Sequence, residues 1–283
     1  MGITAITTRL ERTRSLDRPA ALLQALSGRV PEGRVRDTLH GVPLGHPLHP
    51  VLVQVPVGTW ASASVLDFVP RTGPASAALI AVGLGAAVPA AAAGAVDLAA
   101  TGKEQQRVGV AHMVCNSIGL GLYTASLLAR LRRRPVRGRL LALAGLAAVG
   151  AGGFLGGHLA YRQATGADRT ASLRAALDDR WHSLGRLADL PEGKPVEHLI
   201  GETALVVVRR SGGADVLAGR CAHLSGPLWE GAADDGCVTC PWHGSTFRLA
   251  DGAVVRGPAT APQPVFETRV DGGELLARFR PAP

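Results

Sequence analysis

Apolar residues fall into two regimes along this chain. Between Pro50 and Tyr161 they form four long runs, Pro50–Val69, Pro74–Ala99, Val108–Ala129 and Leu140–Tyr161. Each is around twenty residues, enough to cross a hydrocarbon core about 30 Å thick. The runs are separated by a tight turn at Pro70–Gly73, a polar loop at Thr101–Arg107 and an arginine-rich loop at Arg130–Arg139. Four buried helices of a soluble bundle would each keep a polar face. The second and fourth runs have almost none, which favours membrane spans. Gly152 with Gly156 and Gly153 with Gly157 are spaced for close helix approach in lipid, and Pro56 and Pro89 are kink points. After Trp181 the pattern changes. Ala204–Val208 is a buried-strand run, Gly212-Gly213 lies in a hairpin turn, and Asp251-Gly252 and Asp271-Gly272 are further turn signals.

The expected organisation is therefore a polar or interfacial tail over 1–40, with a helical piece near Pro19–Leu26, and a four-span unit over 41–163. A helical linker over 164–180, patterned as in Ser172–Leu177, leads to a small β domain over 181–283. The fold class is multi-domain: an all-α four-helix transmembrane bundle followed by a small antiparallel all-β sandwich.

Charge and cysteine usage refine this. The formal net charge is +8, but the excess arginine flanks apolar runs and is not interleaved with aromatics, so it reads as membrane-flanking charge and excludes a nucleic-acid surface. The N-terminus lacks the pattern of a cleavable secretory signal. Of the four cysteines, Cys115 lies inside an apolar run. The other three cluster between Cys221 and Cys240, which points to a metal centre over a disulfide framework. Cys237 with Cys240 spells C-x-x-C, but a thioredoxin-like reading lacks its βαβ context. Cys237 reads as a spare thiol on a strand.

The chemistry is carried by Cys221-x-His223 and Cys240-x-x-His243, two half-motifs on separate loops. Each offers a thiolate and an imidazole. Two such loops suit a [2Fe–2S] centre in which two Cys hold one iron and two His the other. Tetrahedral zinc is the competing occupant, although zinc fingers usually pair Cys with Cys and His with His.

From Trp181 to about Arg280 the chain resembles the Rieske domain of ferredoxins and oxygenase components. The likeness runs through the opening Trp181–Leu184, the Val-rich strand, Pro227–Gly231, both loops, and Asp251-Gly252 followed by Gly257-Pro258. The resemblance implies one [2Fe–2S] cluster with Cys221, His223, Cys240 and His243 as ligands. Leu224, Gly226, Gly244 and Ser245 would line it, and both imidazoles would lie near the surface where electrons pass to a partner. Rieske proteins of cytochrome bc complexes carry two further cysteines in a disulfide; those positions hold Gly226 and Trp242 here. A potential-raising Ser matches Ser245, but Phe247 replaces the usual Tyr. Hydrogen bonds to cluster sulfurs raise the potential, so an intermediate value is expected, below that of the respiratory proteins.

Gly45–Pro50, with Pro56, Gly58, Trp60 and Asp67, resembles the start of an uncharacterised bacterial family of four-span membrane proteins. That likeness continues through Asp97, Arg107, His112, Asn116 and Gly157-His158 to about Tyr161. Alternating spans would bring His49, His112 and His158 to one membrane face. These three are candidates for a haem b or metal site, with hydrogen bonding to Asp97, Asn116 or headgroups as the alternative role. The positive-inside rule makes Arg130–Arg139 cytoplasmic. Arg133-Arg134 before a mild apolar run also resembles a twin-arginine export signal. Both place the β domain on the extracytoplasmic side of a bacterial plasma membrane, against the opposing pull of Arg34, Arg36, Lys103, Arg107 and Arg162.

The expected function is one-electron transfer by a membrane-anchored Rieske protein rather than stand-alone catalysis, with a second redox site in the bundle as a further expectation. The partner would be a redox protein or a quinone-linked membrane complex, and the other partner the lipid bilayer. Two alternatives stay open: a component of an oxygenase or reductase system whose catalytic subunit is separate, and a cluster-based sensor.

Overall fold

The computed structural model describes residues 3–173 and 179–279. Most of the helix expected in the linker, Arg174–Leu177, lies outside the described residues. The chain divides into two compact units. One joins the chain up to Pro31 with Leu48–Thr165; the other joins Glu32–Pro47 with the chain from Gly166 onward.

The first unit is helical. Its elements are α1 (Ile3–Arg12), α2 (Asp17–Ser27), α4 (Leu48–Leu52), α5 (Gln54–Leu66), α6 (Gly73–Ala99), α7 (Lys103–Leu131) and α8 (Pro135–Gly157), the last prolonged by a wider turn at His158–Arg162; α3 (Arg34–His40) belongs to the other unit. The stretch expected as a tail is thus mostly helix. Arg107 binds Asp17 through two hydrogen bonds of 2.6 and 3.0 Å, and its Nη1 donates to the Glu11 carbonyl. These contacts hold α1 and α2 against α7, so the polar residues of 3–27 serve packing as well as solvation.

Three helices are each long and apolar enough to cross a membrane: α6, α7 and Pro135–Arg162. The expected first span, Pro50–Val69, is instead divided between α4 and the 13-residue α5. Pro56 explains the division. It has no N–H to give to the Leu52 carbonyl, and its ring crowds that oxygen. Pro89 sits within an uninterrupted α6. Helix α5 packs on α6 and α8, and α7 packs on the same two, closing a four-helix bundle. At its centre Trp60 stacks on Tyr123 with ring centres 4.3 Å apart. Gly83 makes room for the indole, because a Cβ there would come 2.3 Å from Trp60 Nε1. Buried Arg130 forks onto Asp67 at 2.8 and 2.5 Å, and Ser76 also donates to that carboxylate at 2.7 Å. A desolvated pair is tolerable when its lone pairs are met in this way.

The second unit is built on two antiparallel sheets. The larger has the order β1-β10-β9-β4-β3-β2 and the smaller the order β5-β6-β7-β8. The strands are β1 (His182–Arg186), β2 (Pro195–Ile200), β3 (Thr203–Arg210), β4 (Gly213–Ala218), β5 (Ala232–Asp234), β6 (Cys237–Thr239), β7 (Thr246–Arg248), β8 (Val254–Arg256), β9 (Val265–Asp271) and β10 (Glu274–Phe279). In β3 every residue from Ala204 to Val208 is buried. Alternate residues feed two cores: Val206 and Val208 join Leu217, Val238 and Phe247, while Leu205 and Val207 join Val216, Phe266 and Leu275. Helix α3 completes this unit. Asp37 accepts the Gly257 N–H at 3.0 Å, and buried His40 lies so close that a Cβ on Gly257 would meet its ring at 3.2 Å.

Candidate iron–sulfur centre

The two half-motifs sit on the loops between β4 and β5 and between β6 and β7. The loops share one hydrogen-bond frame. Cys221 N–H donates to the Gly226 carbonyl at 2.9 Å, and Cys240 N–H donates to the Ser245 carbonyl at 2.8 Å. Four residues after each cysteine an N–H returns to its carbonyl, Ser225 to Cys221 and Gly244 to Cys240. That fourth residue is left-handed in both loops, with φ of 61° at Ser225 and 77° at Gly244. Glycine adopts this conformation freely; Ser225 does so at a cost.

The frames bring the four side chains into two pairs. The His223 and His243 ring centres lie 5.2 Å apart and nearly perpendicular. The Cys221 and Cys240 thiols contact each other. The Cys240 contact, then burial, pushes the Cys221 thiol up, whereas the Cys221 thiol, donating, holds Cys240 down with help from the Trp242 and His243 N–H groups. Burial pulls His223 down to about 3, aided by His243, His40 and Arg169, and burial also lowers His243. Both imidazoles are therefore neutral at pH 7. His223 Nδ1 is buried without a hydrogen-bond partner. An orphaned buried nitrogen of this kind is expected of a metal ligand. Among the described residues no three or more His, Cys, Asp or Glu side chains converge as a single-ion site. A pair of thiols and a pair of imidazoles suit the two irons of a [2Fe–2S] cluster, one pair to each iron.

The residues expected around the cluster are placed as follows. Ser245 is fully buried, bonds to Cys221 and accepts the Ala259 N–H at 3.0 Å. Gly226 faces Cys240, where a Cβ would stand 2.7 Å from Sγ and 3.2 Å from the Trp242 ring. The two positions that hold cysteines in respiratory proteins are thus neighbours here, occupied by a glycine and a half-exposed indole. Leu224 lies in the first loop, partly buried. Cys237 lies on β6, opposite Arg248.

Sequence reasoning missed Gln263. Its buried amide accepts the Ala222 N–H at 3.1 Å and donates to the Ala218 and Arg220 carbonyls at 2.7 and 2.6 Å, fixing the first loop to its strand. It also missed His40, which reaches the His223 side from far earlier in the chain. A lone Gln between prolines and a lone His in a polar stretch carry no spacing signal.

In the bundle, His49 and His112 come together with ring centres 6.2 Å apart. His158 does not join them, because its Nε2 pairs with Glu11 at 2.9 Å and Gln163 donates to the same carboxylate oxygen.

Residues 180–267 match the family model for the Rieske [2Fe-2S] domain, and residues 45–169 match one described as predicted membrane protein (DUF2231). The chain is 30% identical over 95 residues to the anthranilate 1,2-dioxygenase ferredoxin subunit of Burkholderia cepacia, a match covering 34% of this chain and 88% of that protein. It is 35% identical over 93 residues to the 3-phenylpropionate/cinnamic acid dioxygenase ferredoxin subunit of Escherichia coli K12, covering 32% and 85%. To the cytochrome b6-f complex iron-sulfur subunit of Chlorobaculum thiosulfatiphilum it is 27% identical over 94 residues, covering 33% of this chain and 51% of that protein.

Proposed function

This chain belongs to the Rieske [2Fe–2S] family, with a DUF2231 membrane-protein unit ahead of its Rieske domain, and from that premise we propose that it is a membrane-anchored electron carrier in which Cys221 and Cys240 hold one iron and His223 and His243 the other. The observation that carries the assignment is the pair of matched loops, which present two thiols and two neutral imidazoles with His223 Nδ1 buried and unpartnered. When bound, the cluster takes up and gives back one electron at a time. The protein's part is to hold and tune it. The Trp242 and His243 N–H groups and the Ser245 hydroxyl point at the two cysteine sulfurs, where they favour the more negative, reduced charge state. Exposed Pro241 and Trp242, beside His243, form the face offered to a redox partner.

The ferredoxin-subunit relatives support delivery of electrons to a separate protein. The apolar helices support anchoring, which keeps the carrier at high effective concentration beside a membrane partner such as a quinone-linked complex. The arginines of 130–139, on the positive-inside rule, support an extracytoplasmic Rieske domain at the plasma membrane. Electron paramagnetic resonance of the reduced full-length protein tests the ligand set. A Rieske signal that survives Cys237→Ser and is lost in Cys240→Ser is expected, and its persistence in Cys240→Ser would overturn the assignment. A potential near +300 mV, the top of the Rieske range, would contradict the tuning described. A C-terminal reporter active only in the cytoplasm would reverse the orientation.

A further inference from the structure

The His49–His112 pair has the features of a built ligand site. His49 Nδ1 lies 2.7 Å from the Ala90 carbonyl on α6, and His112 Nδ1 lies 2.7 Å from the Gly152 carbonyl on α8. A carbonyl can only accept, so each Nδ1 carries the ring proton. In the neutral imidazole Nε2 is then the nitrogen that carries the lone pair. This is the arrangement in which a metal-binding histidine is normally fixed, with its second nitrogen donating to a backbone carbonyl. The two anchors lie on different helices, so the rings are held from opposite sides.

Glycines seat both rings. A Cβ at Gly94 would come 2.7 Å from His49 Nδ1, and one at Gly156 would come 3.1 Å from the His112 ring. Asn116, one turn after His112, donates to the His112 carbonyl at 2.9 Å, and the same Nδ2 lies 3.4 Å from His112 Nδ1 and 3.2 Å from Nε2, a contact that a ligand on Nε2 would replace. A Cβ at Gly152 would lie 2.7 Å from the Asn116 amide. The small residues at 152 and 156 thus face a His and an Asn with the same four-residue spacing.

The separation of the rings is compatible with one ion held between them. A metal held by Nε2 at about 2.0–2.1 Å lies roughly 3 Å from the ring centre, so two imidazoles on opposite sides of one ion have centres roughly 6 Å apart. The observed separation is 6.2 Å, with the rings 82° apart in plane. A tetrahedral site would bring the centres nearer and needs further protein donors. Among the described residues no third His, Cys, Asp or Glu joins the pair. A tetrapyrrole brings its own remaining coordination positions and so suits a site of two imidazoles.

We propose that Nε2 of His49 and Nε2 of His112 are the two axial ligands of one haem iron within the helical unit, and that His158 is not a ligand. The site stands independently of the Rieske centre. The test is hemin titration of the purified full-length protein, followed by the pyridine haemochrome spectrum and the low-spin signal of a bis-imidazole ferric haem. One haem per chain is expected for the wild type and for His158→Gln, which keeps a donor toward Glu11. In His49→Ala and His112→Ala, hemin affinity falls by more than the roughly 10–100-fold typical of losing an outer partner of a ligand, and free imidazole restores it. The Rieske signal of each preparation reports that the chain is folded. A wild type that shows the Rieske signal but takes no hemin, or alanine variants that bind it undiminished, overturns the proposal, as does stoichiometric zinc or copper in hemin's place.

Discussion

Ser245 is the residue whose chemistry is most directly measurable. It is fully buried, touches the Cys221 sulfur and is itself held by the Ala259 N–H. A donor to a ligand sulfur stabilises the reduced site more than the oxidised one, so removing it lowers the potential. If the difference is roughly 1 kcal/mol, the shift is about 40 mV at one electron. Ser245→Ala is expected to lower the midpoint by about that amount with the spectroscopic signature retained; a redox titration of the two proteins decides it. Phe247, two residues on, is equally buried but contributes no hydroxyl. The four proposed ligands and Ser245 stand out in the sequence because each lies inside a short motif of fixed spacing. Gln263 and His40 do not, because their roles depend on which distant backbone groups the fold leaves unpaired.

At the scale of elements, the repeated loop frame makes an asymmetric prediction. Gly244 and Ser225 occupy equivalent left-handed positions. Gly244→Ala forces a side chain into that conformation and is expected to cost about 1 kcal/mol, whereas Ser225→Gly relieves the same strain and is expected to be near neutral. Thermal melts followed by visible cluster absorbance compare them. In the bundle, Asp67→Asn leaves Arg130 buried without its carboxylate, and the expected loss is about 3–5 kcal/mol. Replacing both partners by Leu and Met recovers most of it, as detergent-solubilised melts of the three proteins would show. The helices of the three later apolar runs and the strand through Ala204–Val208 followed from the length and pattern of their apolar residues; the helices of the first forty residues mostly did not. The division of the first apolar run did not, because hydropathy over twenty residues is indifferent to one proline that removes a backbone donor.

At the scale of the whole molecule, the division into units departs from the order of the chain. A reading by composition puts 1–40 outside both folded bodies, since its charge density resembles a tail. Instead the first 31 residues are claimed by Arg107 and its neighbours, and 32–47 by the β unit. The second assignment rests on Asp37, whose carboxylate accepts the Gly257 N–H. Asp37→Ala is expected to lower the stability of the β unit by about 1–3 kcal/mol, visible as earlier loss of cluster absorbance on heating, with helical circular dichroism of the bundle unchanged. That shared unit also sets a parity. Residues 32–47 and 166 onward pack as one body, so they lie on one side of any membrane the chain crosses. The number of crossings between them is therefore even. Among the described residues three helices are long and apolar enough to cross a membrane; an even count would need a fourth crossing from α4 and α5, Leu48 to Leu66, which would extend about 28 Å at helical rise if collinear. A proline-broken pair of helices, neither long enough to span by itself, would then be what returns the chain to the side on which it started.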